Sequence, residues 1–336
     1  MTFFIHRSLR CFARQIVDLR SFASGRGVYD GIVRTEGTTL RRIIQQRTLL
    51  LFLVPAIACV IVFNYIPMVG LLMAFQNYHV RFGFFQSEFV GLLHFRRFVF
   101  DPAFLIALRN TLIISLLNLG VVFPMPILLA LMLNEVASQR FKRAIQTITY
   151  LPHFISWVVV AGLVYRMLDV DTGAVNLLLG LLGRDPVPFM RRPEAFKPVL
   201  IVTTIWKEIG WNSIIYLAAI SSIDPSIYDS ARVDGAGRLR QVIHITVPMI
   251  VPTIALLFIL NLGRLVHTNF DAVYNLMNPM VYVSAEVIDT YVFRTGIQLA
   301  RYSYATAIGF AQSVISVTLV FCGFRLAKRS NDYAII

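Results

Sequence analysis

The chain has 336 residues, of which 57% are apolar and only 15% charged, whereas soluble globular chains run about 45–50% apolar and about 25% charged. A mean hydropathy of +0.68 and 12% aromatic residues exclude a solvated, disordered chain as well. The net charge of +13, from 31 Lys+Arg against 18 Asp+Glu, lies in loops between apolar runs, which points to a polytopic membrane protein sorted by its positive loops and not to a nucleic-acid binder.

In chain order, residues 1–48 come first. They carry nine arginines and no apolar run of signal-peptide length, so they read as a basic cytoplasmic extension with the first span acting as insertion signal. A bilayer core of about 30 Å needs about 20 apolar helical residues. Six segments meet that requirement, at 49–75, 108–133, 146–168, 197–220, 247–269 and 304–326, and together they make 49–336 an all-α membrane domain. Pro55, Pro67, Pro124, Pro126 and Pro252 fall in or near these spans and read as helix kinks satisfied by neighbouring helices. Of the Lys and Arg outside the spans, 18 fall in residues 1–48, 134–145, 221–246 and the C-terminal tail, against eight in the alternate loops. The richer side is the cytoplasmic one, which puts both termini inside.

Two outer loops look structured. Residues 82–103 set phenylalanines around Arg96 and Arg97, as an interfacial amphipathic element does. Residues 270–303 mix aromatics with Asp271, Glu286, Asp289 and Arg294, which suits a folded surface lobe. The cysteines, Cys11, Cys59 and Cys322, form no CxxC, so no disulfide frame or zinc site is expected; Cys59 and Cys322 lie in apolar runs and read as packing residues.

Signatures of catalysis are missing. The lysines, Lys142, Lys197, Lys207 and Lys328, are followed by Arg, Pro, Glu and Arg, so there is no Gly-Lys-Ser/Thr loop to cradle phosphates. HExxH, GxSxG and GxGxxG are absent too. The expectation is a chain that is not an enzyme and holds no metal or cofactor of its own.

Loop 221–246 is the most informative stretch. Asp224 suits an N-cap and Pro225 the first helical position, so a helix is predicted over about 225–234. Gly235 stands where it must end, since glycine takes the left-handed conformation of a helix C′ residue. A second short helix then runs to about Thr246, and Pro248 opens the fifth span. Ser230, Ala231, Gly235 and Ala236 leave a shallow surface that another protein can approach closely.

This stretch resembles the EAA signature of ABC importer permeases: Glu-Ala-Ala, three residues, Gly, nine residues, Ile-x-Leu-Pro. Here Asp229-Ser230-Ala231, Gly235 and Ile245-Thr246-Val247-Pro248 keep every spacing, with Asp for Glu, Ser for Ala and Val for Leu. Four further stretches, at 65–68, 141–143, 146–162 and 288–294, resemble the polysaccharide-type branch of carbohydrate importer permeases, and within it the permeases that import alginate. The resemblance implies a type I importer permease fold with a cytoplasmic coupling helix. It implies a second, different permease subunit, two copies of an ABC ATPase that binds ATP and Mg, an extracytoplasmic solute-binding protein, and a bacterial inner-membrane setting. It also implies that Tyr228, Asp229, Ser230, Ala231, Asp234, Gly235, Ile245 and Pro248 couple the chain to that ATPase.

Polar residues within spans are costly and usually face a cavity or a partner. Glu208, Trp211 and Asn212 share one face of the fourth span, and Asn261, Arg264 and Thr268 one face of the fifth. Glu208 and Arg264 lie about 18 Å and about 21 Å above the cytoplasmic ends, level enough to pair. The residues read either as a structural ion pair or as a sugar pathway, with Trp211 stacking on a ring, Asn212 and Asn261 bonding hydroxyls and Arg264 meeting a uronate. Asn118, beside the Pro124–Pro126 kink, is a further pathway candidate. The competing readings are a permease for a non-sugar solute and a secondary transporter, the latter disfavoured because no internal repeat is visible.

Overall fold

The computed structural model describes residues 47–329, with side chains described from 51 to 327. The predicted basic extension, residues 1–48, and Cys11 fall almost wholly outside these residues. Two units are distinguished, Met1–Pro67 and Met68–Ile336. In the first, α1 (Arg47–Val60) holds Pro55 inside the helix and passes into a π turn at Ile61–Tyr65.

The boundary between the units falls within a 3₁₀ run, Ile66–Phe75, and the second unit continues in a two-residue hairpin that pairs β1 (Gln76–Asn77) antiparallel with β2 (Glu88–Phe89). Within the predicted amphipathic element at 82–103 lie the second strand of this hairpin and two short helices, Gly83–Gln86 and α2 (Leu93–Val99). Asp101 caps α3 (Pro102–Leu117) by accepting from the Ala103 amide at 2.9 Å. A π turn at Asn118–Val122 joins α3 to α4 (Pro124–Glu135).

Next come α5 (Gln139–Tyr150) and α6 (Trp157–Met167), bent from each other by 105°. The predicted straight span 146–168 is thus corrected to two helices. Pro152, with no N–H to donate, sits in the 3₁₀ turn Leu151–Phe154, and the Ser156 hydroxyl caps α6 at the Val159 amide. A short helix, α7 (Ala174–Leu181), precedes α8 (Pro193–Ser221).

Beyond α8 lie α9 (Pro225–Val233), one turn at Arg238–Gln241, a π turn at Val242–Thr246 and α10 (Val247–Leu262). The predicted fifth span ran to 269; the helix stops at Leu262. A Cβ on Gly263 would come within 2.4 Å of Val320 Cγ2, so the chain leaves the helix where it presses against the last one. The lobe follows, with α11 (Phe270–Leu276), a turn at Tyr282–Ala285 and α12 (Ile288–Phe293). The final helix is α13 (Tyr302–Arg329).

Four helical stretches, Leu51–Phe75, Pro102–Glu135, Arg238–Leu262 and Tyr302–Ala327, are long and apolar enough to cross a bilayer, and the bent pair α5–α6 makes a fifth if counted as one span. Helix α8 has 29 residues, enough for a core of about 30 Å, but Lys207, Glu208 and Asn212 leave it less apolar. Between 0% and 22% of each apolar window is buried within the chain. Such faces are made for lipid or for another subunit. Cys59 and Cys322 are exposed on these surfaces, which corrects their reading as packing residues.

The lobe is folded, as its mixed composition suggested, and polar bonds tie it to the helices. Asn110 on α3 donates to the carbonyls of Val283 at 2.8 Å and Glu286 at 3.0 Å, and Tyr165 on α6 donates to the Leu276 carbonyl at 2.9 Å. Buried Glu286 holds Arg294 at 2.8 Å and accepts from Tyr282. Apolar packing completes the attachment: Ala272, Val273, Leu276 and Val281 join Trp157, Val160, Phe196 and Leu200 in one core.

Candidate functional site: a coupling loop and an intramembrane polar cluster

The loop between α8 and α10 is built as its residues predict. The Asp224 carboxylate accepts from the Ser226 amide at 2.9 Å, and this bond holds its pKa below the usual carboxylate range. Pro225 opens α9 with a φ that needs no adjustment. At the other end Gly235 has φ +76°. Its amide bonds to the Arg232 carbonyl at 3.1 Å, and the Ala236 amide reaches Ala231 at 2.9 Å. This is a Schellman closure, which satisfies the last carbonyls of the helix.

The predicted coupling residues divide by contact. Tyr228 turns inward, its hydroxyl 2.9 Å from Thr246 Oγ1, and so pins α9 to the base of α10. Asp229 pairs with Arg232 on its own helix at 3.1 Å, with both side chains about two-thirds exposed. Ser230 bonds back to the Ser226 carbonyl at 3.0 Å. Asp234, Gly235 and Pro248 are exposed, while Ala231 and Ile245 are half-buried. The sequence reading missed the apolar crown of the loop: Val233 is 88% exposed, Leu239 72% and Ile243 52%. Three apolar side chains thus stand uncovered around a polar, basic loop.

The second cluster sits where α8 crosses the break between α5 and α6. A Cβ on Gly210 would lie 2.1 Å from the Thr149 carbonyl oxygen, so glycine is what lets α8 lie against the backbone of α5. Three residues earlier Lys207, only 4% exposed, donates to the carbonyls of His153 at 2.6 Å and Pro152 at 3.3 Å. The Pro152 carbonyl also accepts from the Ile155 amide at 3.2 Å, and a cation at a helix C-terminus is favourable there. Glu208 meets His153 Nδ1 at 2.9 Å and lies 4.0 Å from Lys207 Nζ. Trp211 lies flat on the His153 ring, centroids 4.6 Å apart and planes 2° from parallel.

Glu208 and Trp211 therefore converge, as their shared face predicted, but on His153. The expected pairing of Glu208 with Arg264 does not form. Arg264 stands in the turn beyond α10, exposed and in no ion pair of the described residues. Asn261 bonds back to the Leu257 carbonyl at 2.8 Å, and Asn212 is exposed beside Trp211. Asn118 begins a π turn with its buried Oδ1 unpartnered. Thr268 joins the lobe, its amide 2.7 Å from Asp289. The clue to His153 was present in the sequence as Pro152 and Ser156, a helix stop and a helix start inside one apolar run.

Among the described residues no group of three or more His, Cys, Asp or Glu is placed to hold a metal. Residues 122–332 match the profile of the family described as binding-protein-dependent transport system inner membrane component. The chain is 44% identical over 296 residues to the polygalacturonan/rhamnogalacturonan transport system permease protein YteP of Bacillus subtilis strain 168, covering 88% of this chain and 92% of that one. It is 30% identical over 285 residues to the lactose transport system permease protein LacF of Rhizobium radiobacter, covering 83% and 93%. A crystal structure of a bacterial alginate ABC transporter, in complex with an alginate pentasaccharide-bound periplasmic protein, contains a chain 44% identical that superposes with a TM-score of 0.81 over 88% of this chain and 98% of that one. The exposed apolar helices, the capped loop with its apolar crown and these likenesses have one reading: the chain belongs to the binding-protein-dependent transport system inner membrane components, the permease subunits of ABC importers.

Proposed function

We propose that this chain is one of two permease subunits in an importer of acidic oligo- or polysaccharide, driven by a separate ABC ATPase and loaded by an extracytoplasmic binding protein. It crosses the bilayer six times, with α8 and the bent α5–α6 pair among the spans and both termini cytoplasmic. The observation that carries this reading is α9, a short helix capped at both ends, pinned by Tyr228 and crowned by Val233 and Leu239. Such a helix moves as a rigid peg. Seated in a cleft of an ATPase, it converts closure of the ATPase pair into movement of α8 and α10, the two helices it joins. The permease then alternates between two states, each favoured by a different partner.

The substrate reading rests on chemistry in two places. Trp211 and Asn212 offer a stacking face and an amide, Asn261 a second amide and Arg264 a free guanidinium suited to a carboxylate. Similarity to permeases named for polygalacturonan and to a transporter described as importing the acidic polysaccharide alginate supports the same class. Glu208, paired to His153, holds the α8 crossing, while Asn118 marks a weak point of α3 that faces the pathway.

The test is Gly235→Val. No atom lies within 4 Å of an added Cβ, so the damage is confined to a φ that β-branched residues avoid. Membrane insertion and assembly should persist while transport and substrate-stimulated ATPase activity fall together, by tenfold or more. Wild-type transport by this variant would remove the coupling role of the loop.

A further inference from the structure

At the far end of the same unit, a cleft of about 520 Å³ opens between the hairpin, α2 and the first residues of α13; its wall includes Tyr78, His79, His94, Arg97, Arg301 and Tyr302. It lies outside the polar cluster on α8. Neither Arg97 nor Arg301 enters an ion pair of the described residues. Asp101, which also lines it, is already occupied: its Oδ2 accepts from the hydroxyls of Tyr291 and Tyr304, each at 2.8 Å, and Oδ1 from the Ala103 amide. The cleft thus holds two guanidinium groups against one carboxylate, with neither guanidinium in salt-bridge contact.

The wall is also short of donors. His94 is 4% exposed, and its Nε2 lies 3.2 Å from the Gln76 carbonyl, so that nitrogen carries the hydrogen. Its buried Nδ1 is then an acceptor with no partner. Burial and the neighbouring Arg97 both hold the imidazole below its ordinary pKa, against the pull of the Gln76 carbonyl, which keeps Nδ1 an acceptor. A third feature is strain. Ala300 in the wall has φ +52°, a conformation that costs a residue with a Cβ about 1–2 kcal/mol and that collects at ligand clamps. The neighbouring turn is fixed by the Tyr78 amide, which donates to Ser303 Oγ at 2.9 Å.

We infer that this cleft is a second saccharide site, on the extracytoplasmic face, for one end of a uronate oligomer. The planar guanidinium groups take the carboxylates, the Tyr78 and Tyr302 rings offer flat faces to a pyranose, and ring hydroxyls supply the missing donors. A simple anion meets only the first demand. A neutral sugar meets only the last two. The inference rests on the acidic-saccharide reading for its ligand and adds a place where the chain itself holds that ligand before the bilayer path.

The test uses the full chain with its co-purifying subunits in lipid nanodiscs, without binding protein, titrated with trigalacturonate and followed by saturation-transfer NMR. Binding is expected, with Arg97→Gln and Arg301→Gln each weakening it about tenfold or more, as loss of a charge-assisted hydrogen bond implies. Arg184→Gln, at an exposed arginine on another loop, should bind like the parent. Arg301→Lys keeps the charge but not the fork and should weaken binding several-fold, which guards against a misfolded glutamine variant. Unchanged titration by the double glutamine variant overturns the site. So does equal competition by inorganic phosphate, which would make it a simple anion or headgroup site. A transporter that imports uronate oligomers but fails these tests loses the cleft and keeps its substrate; one that imports only neutral sugars loses both.

Discussion

Replacing Gly210 by alanine puts a methyl group where the backbone of α5 already stands. The added Cβ would lie 2.1 Å from the Thr149 carbonyl oxygen and 2.4 Å from its carbon. Both are backbone atoms, so no side chain can swing aside. Reaching an ordinary contact of 3.4 Å requires the two helices to part by about 1.3 Å. The bonds across that crossing lengthen with it. Lys207 to the His153 carbonyl, now 2.6 Å, and His153 to Glu208, now 2.9 Å, would pass to about 3.9 and about 4.2 Å, beyond hydrogen-bond range. Overpacking of this kind costs about 1–3 kcal/mol, and each lost bond to a charged group about 1.5–3 kcal/mol before relaxation. Allowing for relaxation, Gly210→Ala should destabilise the chain by about 2–4 kcal/mol. In detergent that is a fall in melting temperature of about 5–10 °C, accompanied by loss of transport. A variant that melts within about 1 °C of the parent and transports normally would refute the close crossing and the role given to Lys207.

Three further outcomes are expected. Hydrogen bonding to Asp289 raises the pKa of His267, so the bond's contribution is complete below pH 6.5 and is lost as pH rises through the raised value. Asp289 resists its own burial through bonds from His267, Thr268 and Gln312 and stays below its usual pKa, so its contribution is lost only when pH falls through that lowered value. Hydrogen exchange across 267–290 should therefore quicken as pH rises above 6.5, beyond the intrinsic base dependence, and His267→Asn should flatten that change. Asn176, 4% exposed, accepts from the Val187 amide at 2.8 Å and donates to the Asp169 carbonyl at 2.9 Å. Asn176→Ala strands both groups at about 1–3 kcal/mol, and limited proteolysis should then cut at 183–188 where the parent resists. Ala300→Gly relieves the positive φ and should hold or raise the melting temperature, with a gain of up to about 1 kcal/mol; a clear fall would mean that the methyl group packs against something essential.

What could be read from the sequence was local. Asp224, Pro225 and Gly235 determine their own helix ends through groups two to five residues away, and the helix of loop 221–246 is capped where they predict. The long apolar runs around 108–133 and 304–326 became helices because nothing else satisfies a backbone in an apolar setting. The misses all needed a contact across the fold. The bend at Ile155 is local in origin, from Pro152 and Ser156, but the ammonium that bonds its His153 carbonyl comes from Lys207, more than fifty residues away. Glu208 was assigned the wrong partner because a histidine at a helix break gives no periodic signal, whereas an arginine on a neighbouring span does. The early stop at Leu262 falls where Gly263 meets Val320 of the last helix, a contact that no pattern within 247–269 could reveal. Val233 and Leu239 were overlooked because two apolar residues in a charged loop look incidental until their exposure is measured.

The π turns carry a consequence for chain length. Each of them, at Ile61–Tyr65, Asn118–Val122, Val242–Thr246 and Arg294–Gln298, holds one residue more than a regular turn. Everything beyond is rotated by about 100° relative to an uninterrupted helix. Deleting one residue within 242–246 would let that segment relax to a regular helix, and the seam of α10 that meets α13 at Gly263 and Gly323 would swing by more than a quarter turn relative to α9. The same deletion between 183 and 188 would shorten only a loop. Single-residue length changes are therefore silent or ruinous according to whether they fall in a loop or within a packed helix and its π turns, and a deletion scan of this chain should sort into those two classes with little between them.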